Sequence, residues 1–557
     1  MDTKSKMKNL QLVFVAAVCF FAITNKANAQ FSGGSGTEND PYIITTAAQL
    51  VQFSTYFNEY WPPDEYYQYH DKCYKLGNDI DLSAYGSGWN GGKGWIPIGS
   101  YTYYNSFEGS FDGNNKKITG LYINESSYQG FGFFGYIAGG KVFNLGIENA
   151  NVTGYDYVGA VVGRMSGGAI TNCYSTGKVR ANRYSAGGIA GDCSGSITIT
   201  NCNSMCEVTG GDSYTGGIVG ESIGGSISNC YFTGKVSGKN WAGGIAGLIK
   251  ELCNISNCYS TDEITGIELI AGIAGYVYDN CTIVNCYSTG KINGNSAIGG
   301  IAGSLMSGST VSNCYATSNV NGNSDVGGIA GRLSGSYIKN CYSTGEVSAN
   351  AGSGGVAGIV NNAGTLSFSV ALNPSVTGMT IESGRVAGNK SILSGLFNNV
   401  AYNGIKNIYG NTTWEYKGLN NFDGEDMSAQ TIKSDGTLGG RFSAANGWTI
   451  QNGKLPGLFG QAVDMPAHLS GVGIASTTLS DPIRVYPNPA NEQLTINNEQ
   501  LIINNVEIFD VVGRPVVGSN LCVRPATTID ISNLPSGVYF VKIYTENGMI
   551  TQKIIKN

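Results

Sequence analysis

The chain has 557 residues, with 82 glycines, only 13% charged residues and a formal net charge of −6. Such sparse charge with so much glycine argues against an ordinary helical enzyme and favours a structure with many tight turns. The net charge gives no electrostatic reason to expect nucleic acid as a partner.

Residues 1–29 have the pattern of a secretory signal peptide. A lysine-containing start precedes the apolar run LQLVFVAAVCFFAI, and small residues lead to a predicted cleavage site between Ala29 and Gln30. A lipoprotein signal that uses Cys19 is the alternative, but a bulky valine precedes this cysteine and the apolar run continues beyond it. Since no later segment approaches the roughly 20 apolar residues that span a bilayer, we expect an exported protein without a transmembrane segment.

Residues 30–125 are predicted to form an amino-terminal cap followed by irregular first turns of a coil. In TAAQLVQFSTYFN, Leu50, Phe53 and Phe57 recur at helical spacing, which predicts a short amphipathic helix. Glycine-rich stretches follow it and indicate loops and turns. We expect the helix to cover the exposed edge at one end of the coil.

A period of about 28 residues dominates residues 126–380. A cysteine recurs in an NC pair, and a GIAG-like sequence recurs in step with it. Two columns with one period indicate nine repeats that bury their apolar faces by stacking on their neighbours. The column cysteines are Cys173, Cys202, Cys230, Cys258, Cys286, Cys314 and Cys341.

The repeats consist of short β-branched runs separated by glycine, with no segment of helical length. In NCYSTGKV, alternate positions from Cys173 to Val179 face one way, whereas Lys178 faces the other, so the cysteine side is interior. Asn172 lies at a bend, where asparagine accepts a left-handed conformation and can bond its copies in adjacent turns. Three short strands per repeat predict an all-β protein, a parallel β-helix of about nine to ten turns.

We interpret the cysteine column as a small apolar filler of the interior. Zinc binding is the alternative, but each repeat supplies one thiol and no nearby histidine. Export would permit disulfides, yet in-register strands hold Cβ atoms farther apart than a disulfide requires. The pairing stays open, and the better disulfide candidates lie outside the column: Cys193, Cys206, Cys253 and Cys281.

The carboxy-terminal third of the chain loses the period. Residues 381–460 are interpreted as the end of the β-helix, and residues 461–481 as a linker. Residues 482–557 alternate as short strands with turns between them, the pattern of a small β-sandwich.

The sequences GIAG and SNCYSTGKV resemble the GLUG-motif repeat of bacterial surface proteins, and FEGSFDGNNKKITGLYI resembles the part that precedes those repeats. The resemblance covers roughly residues 31–460 and implies a right-handed β-helix displayed outside the cell. Members of this family include adhesin-like proteins, and the repeat also accompanies immunoglobulin A-cleaving metallopeptidases. The H-E-x-x-H motif of such peptidases is absent from this sequence, in which His70 and His468 stand alone.

Residues 482–557 resemble the type A carboxy-terminal sorting domain of type IX secretion. The resemblance implies passage across the outer membrane of a Gram-negative cell by the type IX machinery, removal of the domain and attachment to surface lipopolysaccharide. A generic sandwich-like binding module is the alternative. The family's sorting residues correspond to Pro487, Asn488, Pro489, Gly513, Gly537, Tyr539, Lys542 and Lys553.

The favoured function is adhesion, or binding of a glycan or a host protein, at the cell surface without catalysis, cofactor or metal. The candidate site is a stripe of outward tyrosines, because aromatic rings with polar neighbours suit sugar rings and protein surfaces. A tyrosine ladder that only stabilises the strands is the simpler alternative. The stripe comprises Tyr174, Tyr231, Tyr259, Tyr287, Tyr315 and Tyr342.

A polysaccharide-cleaving enzyme, a lyase or a glycosidase, is the second possibility, although a β-helical fold alone does not decide the matter. Glycosidases need two carboxylates roughly 5–10 Å apart. The acidic residues to test for such an enzyme are more simply interpreted as turn and capping residues or as a weak calcium site: Asp79, Asp81, Glu108 and Asp112.

A purely structural surface spacer is the third possibility.

Overall fold

A computed structural model describes residues 31–58, 69–101, 105–127, 130–379, 382–470, 484–487, 489–497, 503–510, 514–519, 526–545 and 548–557. The chain divides into two compact units, Met1–Met465 and Pro466–Asn557. The predicted signal peptide and its cleavage site at Ala29 and Gln30 lie outside the described residues.

The first unit is a parallel β-helix, which confirms the predicted fold. In its described part, twelve successive parallel pairings join thirteen strands, from Tyr42–Ile44 to Gly395–Phe397, and each strand belongs to one turn. The prediction of nine to ten turns was therefore too low. The extra turns lie at the ends of the coil, where the chain keeps the strand pairing but lacks the NC and GIAG sequences that made the repeat visible.

Each regular turn contains five short strands rather than the three predicted. In one turn these are Thr310–Ser312, Tyr315–Ala316, Asn319–Asn321, Ser324–Gly327 and Ala330–Ser334. Strands at equivalent positions stack into five parallel ladders, which we number 1 to 5 in this order. The single run CYSTGKV is divided between ladders 2 and 3 because the chain turns a corner within it.

In the early turns, several strands continue around corners and belong to more than one ladder: Ser110–Thr119, Lys141–Gly154, Val162–Thr171, Tyr174–Ala181, Ala190–Thr200, Asn203–Gly216 and Lys235–Gly243. The remaining strands of ladder 1 are Tyr42–Ile44, Cys73–Leu76, Ser226–Ser228, Asn254–Ser256, Thr282–Val284, Thr310–Ser312, Tyr337–Lys339, Thr365–Ser367 and Gly395–Phe397. Those of ladder 2 are Ile80–Asp81, Tyr231–Phe232, Tyr259–Ser260, Tyr287–Ser288, Tyr315–Ala316, Tyr342–Ser343, Val370–Ala371, Val400–Tyr402 and Glu425–Met427.

The other three ladders complete the coil. Ladder 3 also contains Tyr122–Asn124, Ile264–Thr265, Lys291–Asn293, Asn319–Asn321, Val347–Ser348 and Val376–Thr377. Ladder 4 also contains Val158–Gly159, Tyr184–Gly187, Glu268–Ala271, Ser296–Gly299, Ser324–Gly327, Ala351–Gly354 and Ser383–Gly384. Ladder 5 also contains Phe134–Ala138, Val219–Ile223, Ala246–Lys250, Ala274–Tyr278, Ala302–Met306, Ala330–Ser334, Ala357–Asn361 and Ala387–Lys390.

A continuous apolar core fills the coil from Ile44 to Ile405. The predicted capping helix is confirmed as Ala47–Asn58, which buries Leu50, Phe53 and Phe57 against the first turns. Short 3-10 helices, Ser83–Tyr85 and Asn90–Gly92, follow it.

The carboxy-terminal end of the first unit corrects the prediction for residues 381–460. The coil ends at Glu425–Met427, and residues 428–463, which we call the covering segment, instead pack on the outer side of ladder 2. The predicted linker 461–481 is also wrong at its start, where residues 461–463 belong to a hairpin; residues 471–481 lie outside the described residues. The elements of this region are Ala429–Ser434, Ala444–Asn446, Leu455–Leu458 and Gln461–Val463, followed by the helix Ala467–Ser470.

The second unit has two antiparallel sheets around one small core, as predicted for a β-sandwich. One sheet contains Arg484–Tyr486, Gln493–Asn497 and Ala526–Asp530. The other contains Ile503–Phe509, Pro515–Ser519, Gly537–Thr545 and Gly548–Lys556.

Candidate functional site

The tyrosines of five successive turns form a stacked ladder along ladder 2. From Tyr231 to Tyr342, neighbouring ring centroids lie 4.9 to 5.2 Å apart, with interplanar angles of 2 to 6°. This separation equals the spacing of hydrogen-bonded strands, so the in-register pairing of the turns places the rings face to face. The predicted tyrosine stripe therefore exists as a continuous structure over these turns.

Two tyrosines of the stripe, Tyr315 and Tyr342, are covered on the outer side of the coil and are only 5% and 0% exposed. The covering segment packs on them through Trp448, whose ring centroid lies 6.4 Å from that of Tyr315 and 5.9 Å from that of Tyr342. The Tyr342 hydroxyl donates a hydrogen bond of 2.5 Å to the Pro456 carbonyl oxygen. These two of the six tyrosines of the stripe thus bind the protein's own chain.

The other members of the stripe are half-buried. Phe459 of the covering segment contacts Tyr287 and Tyr259, at 5.7 and 6.3 Å between ring centroids. Tyr231 stacks on Tyr259 at the end of the ladder farther from Trp448. Tyr174 stands apart from the stack because Asn203 interrupts it. The Tyr174 hydroxyl donates to Glu148 at 2.8 Å, and burial together with this carboxylate raises the pKa of Tyr174 to about 12.

The cysteine column lies in the interior, with every member at most 1% exposed. The Cys258 main-chain N–H donates to Sγ of Cys286 at 3.4 Å, and Sγ of Cys286 donates to the Val284 carbonyl oxygen at 3.3 Å. Cys230, Cys258 and Cys314 make the same pair of contacts, so in these turns the thiol satisfies one main-chain donor and one main-chain acceptor. All cysteines in the described part of the chain are free, including the disulfide candidates outside the column.

The acidic residues singled out near the amino-terminal end do not form a common site. Among the described residues, no three His, Cys, Asp or Glu side chains come together as a metal-binding group. Glu108 and Asp112 line a polar cavity of about 660 Å³ that also contains Lys75 and Lys141. Each of the four carboxylates accepts a hydrogen bond from a nearby group: Asp79 from the Lys117 main-chain N–H, Asp81 from Ser83, Glu108 from Ser106, and Asp112 from the Asn114 main-chain N–H.

The structure reveals an aromatic surface that sequence reasoning missed, where ladders 4 and 5 adjoin. The ring centroids of Tyr214 and Trp241 are 4.9 Å apart, and those of Trp241 and Tyr276 are 4.8 Å apart. Tyr184 and Tyr278 extend this row at its two ends. We call these five residues the aromatic row; all are half-buried except Tyr278, which is 40% exposed.

A row of charged side chains lies beside the aromatic row on the outer face of ladder 5. Strand register aligns Arg164 with Asp192, and Asp192 with Glu221, in successive turns. Arg164 Nε lies 2.7 Å from Asp192 Oδ2, and Lys250 Nζ lies 3.6 Å from Glu221 Oε1. We call these four residues the charged row.

The charged row places two carboxylates next to each other between two cations. Burial, and then the neighbouring charge of Asp192, raises the pKa of Glu221 to about 7. Burial also raises the pKa of Asp192, although Arg164 opposes that effect. Because like charges at neighbouring positions disfavour joint ionisation, the pair carries less than two negative charges near neutral pH.

The sequence contained only an indirect signal for this surface. Asp192 and Glu221 are separated by 29 residues, one turn of the coil, at equivalent positions after GIAG and GIVG. Aligning the repeats on that motif would have paired them. The aromatic row was harder to predict from the sequence, because Trp241 and Tyr276 lie on different ladders. Their contact depends on the positions of the turn corners, which the sequence pattern does not give.

The predicted sorting residues lie in the second unit, except for Asn488 and Gly513, which are outside the described residues. Tyr539 is 7% exposed and donates its hydroxyl to the Pro535 carbonyl oxygen at 2.8 Å. Lys542 Nζ lies 4.3 Å from the ring centroid of Phe509. The remaining members are half-buried or exposed: Pro487, Pro489, Gly537 and Lys553.

Fold and motifs together define a β-helical repeat protein with a separate sorting domain. The chain carries repeats of the GLUG motif and ends, over residues 484–557, in a secretion system C-terminal sorting domain of the type IX kind. The protein is therefore secreted and displayed at the cell surface. The matched repeats are residues 154–180, 211–237, 266–293, 294–321 and 322–348.

Similar proteins share parts of this chain. A protein from Evansella cellulosilytica described as a Gly-rich membrane protein is 36% identical over 157 residues, which is 28% of this chain and 16% of that protein. Halomucin from Haloquadratum walsbyi is 34% identical over 30% of this chain, but the match spans only 2% of its own length. A crystal structure from Bacteroides ovatus, described as an immunoglobulin A1 protease, aligns with a TM-score of 0.36 and 26% identity over 47% of this chain and 81% of that one.

No helix in the described parts of the chain is long and apolar enough to cross a membrane.

Proposed function

We propose that the protein is a non-catalytic adhesin that binds a glycan through the aromatic row. The observation that carries this proposal is the contiguous set of half-buried rings from Tyr184 to Tyr278, which spans several turns of a rigid coil. Sugar rings present apolar faces bordered by hydroxyls, and aromatic side chains with polar neighbours complement such faces. The rings are held by strands, so little side-chain entropy is lost when a ligand binds.

The aromatic row fits this role better than the tyrosine ladder that the sequence suggested. The covering segment occupies the outer sides of Tyr315 and Tyr342 and also touches Tyr287. The rings of Tyr214, Trp241 and Tyr276, by contrast, pack against one another, and among the described residues their ring contacts are with each other and with Tyr184 and Tyr278. In the described part of the chain, the aromatic row therefore offers a long glycan a run of adjoining rings, whereas the covering segment occupies part of the tyrosine ladder.

We also propose an export route and a surface anchor, both of which are based on the sorting domain. The type IX machinery carries the chain across the outer membrane, and the mature carboxy-terminal end is joined to surface lipopolysaccharide. The coil then acts as a rigid support for the binding surface outside the cell.

Binding of the purified mature protein to a panel of glycans, with parallel measurement of adhesion by intact cells, tests the proposal. The double variant Trp241→Ser and Tyr276→Ser should lower affinity about 10-fold or more, because each lost stacking contact is worth about 0.5–1.5 kcal/mol beyond its buried area. The matched control is Tyr231→Ser and Tyr259→Ser on the tyrosine ladder, which should bind normally. Loss of binding in the control but not in the test variant would move the site to the tyrosine ladder.

A polysaccharide-cleaving enzyme is the second candidate, favoured by one observation. Asp192 and Glu221 are adjacent carboxylates, and a pair in which one member holds a proton near neutral pH is the pattern used by glycosidases. Asp192 is only 2% exposed and is bound to Arg164, which favours binding over catalysis. New reducing ends formed from any glycan of the panel, and their loss in Glu221→Gln, would support the enzyme instead.

A further inference from the structure

We infer that the charged row selects an acidic glycan, one whose sugars carry carboxylates, for the surface formed with the aromatic row. This inference rests on the proposed function and names its ligand class. It is carried by the layering of the four charged side chains. The cations Arg164 and Lys250 lie above the carboxylates that hold them.

The exposures of the side chains establish this layering. The side chains of Arg164 and Lys250 are 25% and 32% exposed, whereas the side chains of Asp192 and Glu221 are 4% and 12% exposed. A ligand that approaches the face therefore meets a guanidinium and an ammonium group first. The carboxylates beneath them fix the positions of the cations but present little negative surface of their own.

Aromatic rings adjoin both cations. The Arg164 guanidinium lies over the rings of Tyr101 and Tyr157, at 4.3 and 4.8 Å from their centroids. Strand register places Lys250 beside Tyr278, the most exposed member of the aromatic row. Each cation is thus next to a ring surface, so a sugar that stacks on the ring can place its carboxylate on the cation.

The spacing of the cations indicates a chain of sugars rather than a single one. Arg164 and Lys250 lie on strands three turns apart, so they are separated by roughly 14 Å along the coil at a strand spacing of about 4.8 Å. One sugar ring cannot reach both cations. An oligosaccharide of several acidic residues can contact them together.

A buried polar group lies among the aromatic residues of the same surface. Ser185 occupies the register position between Tyr157 and Tyr214 on ladder 4 and is fully buried. Its hydroxyl has no hydrogen-bond partner within the described residues. Such a group is uncommon in a well-packed protein interior.

Protonation of Glu221 should strengthen binding of an acidic ligand. As the pH falls through about 7, Glu221 loses its charge, and the Lys250 ammonium is no longer neutralised by it. Affinity for a carboxylate-bearing glycan should therefore rise between pH 8 and pH 5.5, a range in which sugar carboxylates stay ionised. The titratable and charged groups that interact electrostatically with Glu221 are Asp192, Lys250, Arg164, Tyr157, Tyr214 and, from the interior, Cys193.

The test compares binding of an oligogalacturonate with binding of its carboxyl-reduced, neutral counterpart to the purified mature protein. Lys250→Gln should lower affinity for the acidic oligosaccharide about 10-fold, the usual worth of a hydrogen bond to a charged group, and leave the neutral one unchanged. Lys250→Arg should restore binding, and Glu221→Gln should remove the pH dependence. Lys239→Gln, at an exposed lysine on ladder 4, is the matched control and should behave as the wild type.

Equal affinity for the acidic and neutral oligosaccharides, or an unchanged affinity in Lys250→Gln, would overturn the inference. Binding of the neutral oligosaccharide that is lost in the Trp241 and Tyr276 double variant would still support the proposed glycan binding. If neither oligosaccharide binds, the inference is wrong.

Discussion

At the scale of single residues, the corner between ladders 1 and 2 explains why NC recurs. Asn172 and Asn201 have φ angles of 53° and 54°, a left-handed conformation that asparagine accepts more readily than most residues. The Asn201 amide also donates to Asn172 Oδ1 at 3.1 Å, which links one turn to the next. The following cysteine then points inward, where its thiol forms hydrogen bonds with main-chain groups, as Cys202 does with the carbonyl oxygens of Ile170 and Thr200.

Substitution of Cys286 tests this role of the thiol. Ser369 occupies the same position at the end of the column, accepts from the Cys341 main-chain N–H at 3.3 Å and donates to the Ser367 carbonyl oxygen at 3.0 Å. Cys286→Ser should therefore lower the free energy of unfolding by at most about 1 kcal/mol. Cys286→Ala should cost about 1–3 kcal/mol, because a buried N–H loses its acceptor. Denaturant unfolding of the two variants measures the difference; equal losses would mean that the thiol is only a filler.

Glu221 makes the stability of the coil depend on pH. Its pKa is raised from 4.5 to about 7 in the fold, so the folded chain binds its proton more tightly than the unfolded chain. The contribution of protonated Glu221 to the free energy of unfolding is fully present below about pH 4.5 and is lost as the pH rises through 7. Glu221→Gln should raise the free energy of unfolding at pH 8 by up to about 3 kcal/mol and change it little near pH 4.5.

Thermal unfolding at the two pH values measures the effect of Glu221→Gln. Glu207→Gln serves as the control, because it makes the same substitution at a side chain exposed on the surface of the coil. A stabilisation that is the same at both pH values would show that the charge of Glu221 is not its cause.

At the scale of elements, the GIAG glycine permits the close approach of ladders 4 and 5. A Cβ atom on Gly275 would lie 2.6 Å from the Leu269 carbonyl oxygen and 2.7 Å from the Ala242 main-chain nitrogen. Both are backbone atoms that cannot move aside without distorting the coil. This glycine therefore brings the two ladders together, and the aromatic and charged rows lie side by side as a result.

The covering segment is the other element that the repeat pattern does not predict. Trp448 is 3% exposed and packs between Phe442 and the rings of Tyr315 and Tyr342. Trp448→Ala should lower the free energy that holds the covering segment on the coil by about 3–5 kcal/mol. The covering segment should therefore detach before the coil unfolds. Limited proteolysis measures this: cleavage within residues 428–463 should become faster while the repeats stay resistant. Simultaneous cleavage throughout the repeats would show that the segment and the coil unfold as one unit.

At the scale of the whole molecule, the sorting domain and the proposed glycan-binding surface belong to different units. The coil has its own core from Ile44 to Ile405, and the sorting domain has a second core around Val541 and Ile554. Because each unit buries its own apolar side chains, each is expected to fold without the other. Export can therefore be removed without damage to the binding surface.

Deletion of residues 482–557 tests this separation. The truncated protein should fail to reach the cell surface, which antibody labelling of intact cells measures. Purified from the cell interior, it should retain the glycan affinity of the full chain. Surface labelling at wild-type levels after the deletion would contradict the assigned role of the sorting domain.

Much of the fold follows from the sequence because stacked turns repeat their environment. A cysteine, asparagine or glycine that meets the same neighbours in each turn recurs at a fixed interval, so NC and GIAG predicted the parallel coil and its interior. The amino-terminal helix was also predictable, since Leu50, Phe53 and Phe57 lie on one helical face. The number of turns was underestimated, because strand pairing uses main-chain groups and continues where side chains no longer repeat.

The candidate site was only partly predictable. The sequence established that a column of tyrosines would stack, since they occupy one position in the repeat. Only the tertiary structure decided that Tyr315 and Tyr342 are covered, because the residues that cover them lie more than 100 positions later and carry no repeat signal. It also decided that the pair Asp192 and Glu221, which the repeat alignment could have matched, lies beside the aromatic row, since that proximity depends on the angle at which ladders 4 and 5 join. A periodic pattern specifies what is alike in every turn, whereas a binding surface arises where turns differ and distant segments come together.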